Sequence, residues 1–114
     1  MRGRHHKVEI PDEFDILGYH ITVKRVKTVF EIPDKRMQMS DTMGCYLDYE
    51  KTIYLVDNGV SDQVLAAVFF HELGHCLMDH MGREDLDEDE GFIDQLGNCF
   101  YQYLKTFKKA RKEV

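Results

Sequence analysis

The chain has 114 residues, 43% of them hydrophobic and 32% charged, and a net charge of -6 from 15 basic and 21 acidic side chains. That length suits one folded domain, the composition excludes a disordered chain, and the acidic balance argues against a nucleic-acid surface, which needs cations to meet phosphates. No apolar run approaches the ~20 residues that cross a bilayer and no apolar leader opens the chain, so no membrane association is expected.

Residues 1–13 read as a polar N-terminal tail ending near Pro11, with His5-His6 and the cations Arg2, Arg4 and Lys7. A single domain is expected over 14–107, and the basic end 108–114 reads as a C-terminal tail. Alternation around Ile21 and Val23 predicts a strand over 19–26. Pro33, Asp34 and Asp41 make 31–42 a loop. Two β-rich runs between Met43 and Asp57 flank Asp48–Lys51 and predict a hairpin, closed by Asn58-Gly59.

Ser61 is a good N-cap with Asp62 behind it, so a helix is expected over 62–80, stopped by Gly82. Its run from Val64 to Phe70 is apolar nearly all round, which predicts burial on most sides. An acidic loop follows. Asp87 then fits as the cap of a second helix, with Glu90 at its third position as in a capping box. Ile93, Leu96, Phe100, Tyr103, Leu104 and Phe107 give that helix an apolar stripe. Strands first and helices after predict a small α+β domain, with about three strands in an antiparallel or mixed sheet.

The chemistry gathers at His71-Glu72-Leu73-Gly74-His75. Histidines four apart project from one helix face, so both imidazoles can bind one Zn²⁺ ion. Glu72 lies about 100° round the helix from His71. It is badly placed as a ligand but can reach a water in an open coordination position, as a general base must. Three such side chains on an otherwise apolar helix cost stability unless a ligand satisfies them.

A catalytic zinc usually takes a third protein ligand. Glu90, opening the next helix, is the choice, with Glu88, Asp87 and Asp94 as alternatives. Its ordinary reading is a first-turn acid favoured by the helix dipole. Asp94, four residues on, shares its face and can hydrogen-bond the free ring nitrogen of a histidine ligand.

The longer pattern HExxHxxGxxH fails, because Met78 and Met81 stand where glycine and histidine are required. His80 is off register by one and reads as a surface residue near the helix end. Cys76 points away from the metal side and reads as a small core residue. Tyr46, His80 and Tyr101 are the possible donors for an oxyanion. Three cysteines, Cys45, Cys76 and Cys99, with no CxxC spacing, fit free thiols in a reducing, cytoplasmic setting.

His71-Glu-Leu-Gly-His75, preceded by Gly44-Cys45-Tyr46 and Thr52-Ile53-Tyr54-Leu55 and followed by Glu90-Gly-Phe-Ile-Asp94, resembles the ImmA/IrrE-like metallopeptidases. These are small gluzincins common in bacteria, phages and mobile elements. The resemblance covers about residues 43–107. It implies a zinc endopeptidase acting on a peptide or protein substrate, such as a repressor. It also implies an edge strand beside the cleft that pairs with extended substrate, for which Met43–Leu47 is the candidate. The chain departs from many members in lacking a recognisable helix before the strands and a helix-turn-helix. Two other readings stand beside it: a metal-stabilised regulatory module that binds without cutting, and a zinc hydrolase of a non-peptide amide.

Overall fold

The computed structural model describes residues 7–108. Arg2, Arg4, His5-His6 and the basic end beyond Lys108 lie outside the described residues. Within them the fold is α+β. The strands are β1 (Glu13–Ile16), β2 (Tyr19–Val26), β3 (Gly44–Leu47) and β4 (Thr52–Val56). The helices are α1 (Lys35–Gln38), α2 (Asp62–His80), α3 (Glu84–Asp87) and α4 (Glu90–Thr106).

The sheet order is β1-β2-β4-β3, mixed, with β2 and β4 parallel and both outer pairs antiparallel. The sheet has one strand more than expected. β1 lies where the tail was expected to give way to the domain, and it reaches β2 through Leu17-Gly18, both at positive φ (49° and 83°). Two successive left-handed residues match the right-handed twist of a tight hairpin. Leucine rarely adopts that conformation, so nothing in the dipeptide announces the turn. The segment before β1 also belongs to the domain: Val8 and Ile10 pack on the core, and the Asp12 carbonyl accepts the Val23 amide at 2.8 Å.

Period-two alternation divides the sheet into two apolar faces. One carries Ile21, Val23, Ile53 and Leu55 against Leu65, Phe69, Phe70 and Cys76 of α2. The other carries Val26, Cys45, Leu47, Tyr54 and Val56 under Ile32, Val29 and Met37. The expected 31–42 loop therefore forms structure of its own. A 3-10 turn at Val29–Glu31 and α1, capped by Asp34, lay an apolar cover over the second face. This makes β4 buried along its whole length.

The helix α2 spans the expected residues, capped by the Ser61 side chain on the Val64 amide at 3.1 Å. Its apolar N-terminal half is not covered all round, since Val64 and Ala67 are exposed. The sheet takes one side of the helix and α4 another, leaving a third open. The stretch after α2 also differs from expectation. α3 intervenes, and Asp89 rather than Asp87 caps α4 by accepting the Phe92 amide, so Glu90 is the first helical residue. Gly97 lets the two long helices touch: a Cβ there would lie 3.0 Å from the Phe70 carbonyl oxygen and 3.1 Å from the His71 nitrogen.

Candidate metal centre

α2 presents His71 and His75 side by side, with ring centroids 5.1 Å apart. The first turn of α4 brings Glu90 against both. His71 Nε2 lies 3.1 Å from Glu90 Oε1, and His75 Nε2 lies 3.4 Å from Oε2. One ligand atom from each of the three residues falls within 4.8 Å of the others. Ligand atoms on a tetrahedral ion, with bonds of ~2.0–2.2 Å, stand roughly 3.3–3.5 Å apart. The three residues could hold one ion between them, and two imidazoles with a carboxylate are donor types that suit zinc.

Both rings are oriented from behind. His71 Nδ1 lies 2.8 Å from Asp94 Oδ1, and His75 Nδ1 lies 2.7 Å from Asp87 Oδ1. With each Nδ1 proton donated to a carboxylate, each Nε2 lone pair turns toward Glu90 and the shared site. The sequence singled out Asp94 for this role. It weighed Asp87 as a cap and an alternative ligand, and its part in orienting His75 went unforeseen. The signal was present only as an excess of acids between Glu84 and Glu90, any of which can cap, ligate or orient.

Glu72 is 8% exposed and stands on the sheet side of the histidines. Burial raises its pKa above the ordinary 4.5, opposed by the positive potential of His75 and His71 and by the nearby dipole of the Tyr46 backbone N–H. A raised carboxyl pKa moves a base toward working pH. Burial works against a charge on His75, yet the Asp87 hydrogen bond and the Glu72 and Glu90 charges outweigh it, so its pKa is raised from 6.5.

Two adjoining cavities open here, of about 340 and 770 Å³, sharing Thr42, Gly44, His71 and Glu72. The smaller runs past Ala67, Val68 and Met43 to Asn98, over the apolar side of α2 that the fold leaves uncovered. The larger is polar, bounded by Arg36, Asp48, Asp79, Asp87 and Glu88.

Of the three donors expected for an oxyanion, Tyr46 lines the larger cavity beside His71, Glu72 and His75, while Tyr101 stands apart from it. Tyr101 packs on Phe70 and borders a separate hollow with Asp62, Gln63 and Lys105. The Tyr46 hydroxyl lies 2.8 Å from His80 Nε2, so the two are engaged with each other. His80 is no surface residue, since its side chain is 5% exposed. Five residues past His75, it is rotated about 140° round the helix, away from the metal side and onto the sheet end. Asn98 and Arg36 also bring donor side chains to the two cavities.

Cys76 is fully buried, and burial pushes its thiol up to about 11, a core residue rather than a thiolate ligand. His20 sits apart at the β1–β2 hairpin, its ring nitrogens 2.7 Å from Asp15 and 2.7 Å from Glu13. Among the described residues no helix is long and apolar enough to cross a membrane. No family model, curated protein or solved structure matches this chain.

Proposed function

We propose that this chain is a zinc-dependent endopeptidase. The observation that carries the reading is the convergence of His71, His75 and Glu90 ligand atoms beside the buried carboxylate of Glu72, on one open cleft. His71, His75 and Glu90 would hold the ion. When bound, zinc would polarise a substrate carbonyl and acidify water.

The remaining work falls to the chain's own groups. Glu72 accepts the proton of the attacking water at its carboxylate and passes it to the leaving amine. Asp94 and Asp87 keep the imidazoles in the tautomer that binds metal. β3 is an edge strand along the cleft, so an extended peptide can lie against it by main-chain hydrogen bonds. The resemblance of the HExxH and Glu90–Asp94 segments to ImmA/IrrE-like peptidases favours a protein substrate, such as a regulatory protein.

Replacing Glu72 by Gln tests the assignment. The variant retains stoichiometric zinc and loses peptide hydrolysis by about 10²–10⁴-fold, the range for a general base. Hydrolysis retained in a clean Glu72→Gln preparation overturns the mechanism. Zinc binding by wild-type protein with no cleavage of disordered or repressor substrates, with or without chelator, favours the regulatory-module reading.

A further inference from the structure

Val64, Ala67, Val68 and His71 recur at helical spacing, so they form one stripe along α2. The sheet and α4 cover the other sides of the helix, and this stripe is the one they leave open. Val64 is 41% exposed, Ala67 is exposed and Val68 half-buried. The stripe runs into a metal-site histidine: Ala67 and Val68 stand one turn, about 5 Å, before His71.

The smaller cavity, of about 340 Å³, lies over this stripe. Two close approaches frame it, each at a glycine that lines it. A Cβ on Gly44 would lie 2.6 Å from Val68 Cγ1, so β3 is pressed onto the helix from the sheet side. Gly97 brings α4 equally near from the other, where a Cβ would lie 3.0 Å from the Phe70 carbonyl oxygen. The frame is therefore backbone, and it is formed before anything enters.

The lining has a definite chemistry. Met43, Ala67 and Val68 supply apolar surface. Asn98 continues the row of Glu90 and Asp94 at a spacing of four along α4, which carries its carboxamide to the same cavity. Among the described residues nothing hydrogen-bonds that carboxamide. It offers donor and acceptor together, as a main-chain peptide group requires. The carboxylates of Glu72 and Asp94 oppose an acidic occupant.

We propose that the smaller cavity is a specificity pocket for one large apolar side chain of the substrate, next to the bond that is cut, with Asn98 holding the main chain of that residue. Continuity with the metal centre names the occupant. The cavity shares His71 and Glu72 with that centre, so a side chain seated on Val68 leaves its own peptide group one turn along, at the histidines. The assignment to substrate rests on the peptidase reading. The pocket itself is measurable without cleavage.

The test gives the zinc-loaded full chain a set of peptides that differ only beside one bond, with Leu, Phe, Ala or Glu there, and reads the products by mass spectrometry. Leucine and phenylalanine at one adjoining position, the same one throughout, raise kcat/KM over alanine by at least about tenfold, the scale for methylenes in an apolar pocket. Glutamate there is cut most slowly. Ala67→Leu narrows the pocket and erases most of the preference for phenylalanine, while alanine peptides keep their rate. Asn98→Ala slows the whole set without changing its order. Separately, N-acetyl-leucinamide titrated into wild-type protein shifts the NMR signals of Ala67, Val68 and Asn98, and in Ala67→Leu leaves Val68 and Asn98 unmoved.

Cleavage indifferent to the side chain at both adjoining positions overturns the proposal. So does an Ala67→Leu protein with the wild-type order of preference. If that variant does not fold, Ala67→Met makes the same comparison. If no peptide is cut, the titration decides. Shifts confined to the wild type uphold the pocket while the peptidase reading fails, and unmoved signals overturn the pocket.

Discussion

At the scale of residues, two groups of the metal-free site, His75 and Glu72, are held toward their protonated forms. The His75 pKa is raised above 6.5 despite burial, so its contribution to stability is full below that pH and is lost as pH rises through the folded value. The Glu72 pKa is raised above 4.5, chiefly by burial. The fold therefore favours its neutral form, and that advantage is lost from pH 4.5 upward. His20, clasped by Asp15 and Glu13, adds a raised pKa of the same sign. All three point one way: the melting temperature of metal-free protein falls between about pH 6 and about pH 8. If the site takes zinc, its ligands must be deprotonated to bind, so the gap between loaded and metal-free melting temperatures should widen over the same range. Scanning calorimetry at several pH values checks both, and a metal-free melting temperature that rises across this interval contradicts the assignment.

At the scale of elements, the two long helices are set by glycine. Gly97 meets the backbone of Phe70 and His71, and Gly74 meets Ile93, where an added Cβ would lie 3.3 Å from Cγ2. Glu90 is seven residues before Gly97, two turns along α4, so a helix pushed off at Gly97 carries its ligand away from the histidines. Gly97→Ala should cost about 1–3 kcal/mol, as overpacking does, and should weaken zinc binding as well. Denaturant melts and a competitive chelator titration measure the two effects, and a variant with native affinity would show that the close approach does not set the site.

The same elements show which parts of the fold local chemistry writes plainly. Ser61 and Gly82 bound α2, the Asp48–Lys51 turn sets β3 against β4, and alternation marks β2. Helical spacing pairs His71 with His75 on α2 and Glu90 with Asp94 on α4, and the packing of the two helices brings the pairs together. What stayed hidden depends on distant partners or on choices among equals. The parallel pairing of β2 with β4 is a long-range contact, and β1 turns on a leucine in a conformation it seldom takes. Asp87 and Asp89 are chemically alike, and only the path of α3 decides which one caps α4 and which one reaches His75. His80 looked spare because its meaning lies on another strand, at Tyr46.

At the scale of the whole molecule, a core shared between two sheet faces in so short a chain is thin, and an ion bridging α2 to α4 would close the structure where it is most open. Zinc at a hundred times its dissociation constant adds about 2.7 kcal/mol by mass action. In a domain of this size that raises the melting temperature by roughly 10 °C, an increase that chelator abolishes. No shift on zinc addition would remove the ion from the account of this fold. The outer edge of β3 carries one more consequence. Thr42 donates its hydroxyl to the Gly44 carbonyl at 2.6 Å, so the protein itself occupies part of a margin where a foreign strand would pair. Bare strand margins invite copies of a chain to zip together. Here Thr42, on the wall of the cleft, blunts that invitation, and an incoming peptide must displace it from Gly44 before it can bond there, which sets a threshold that casual contacts between copies do not cross.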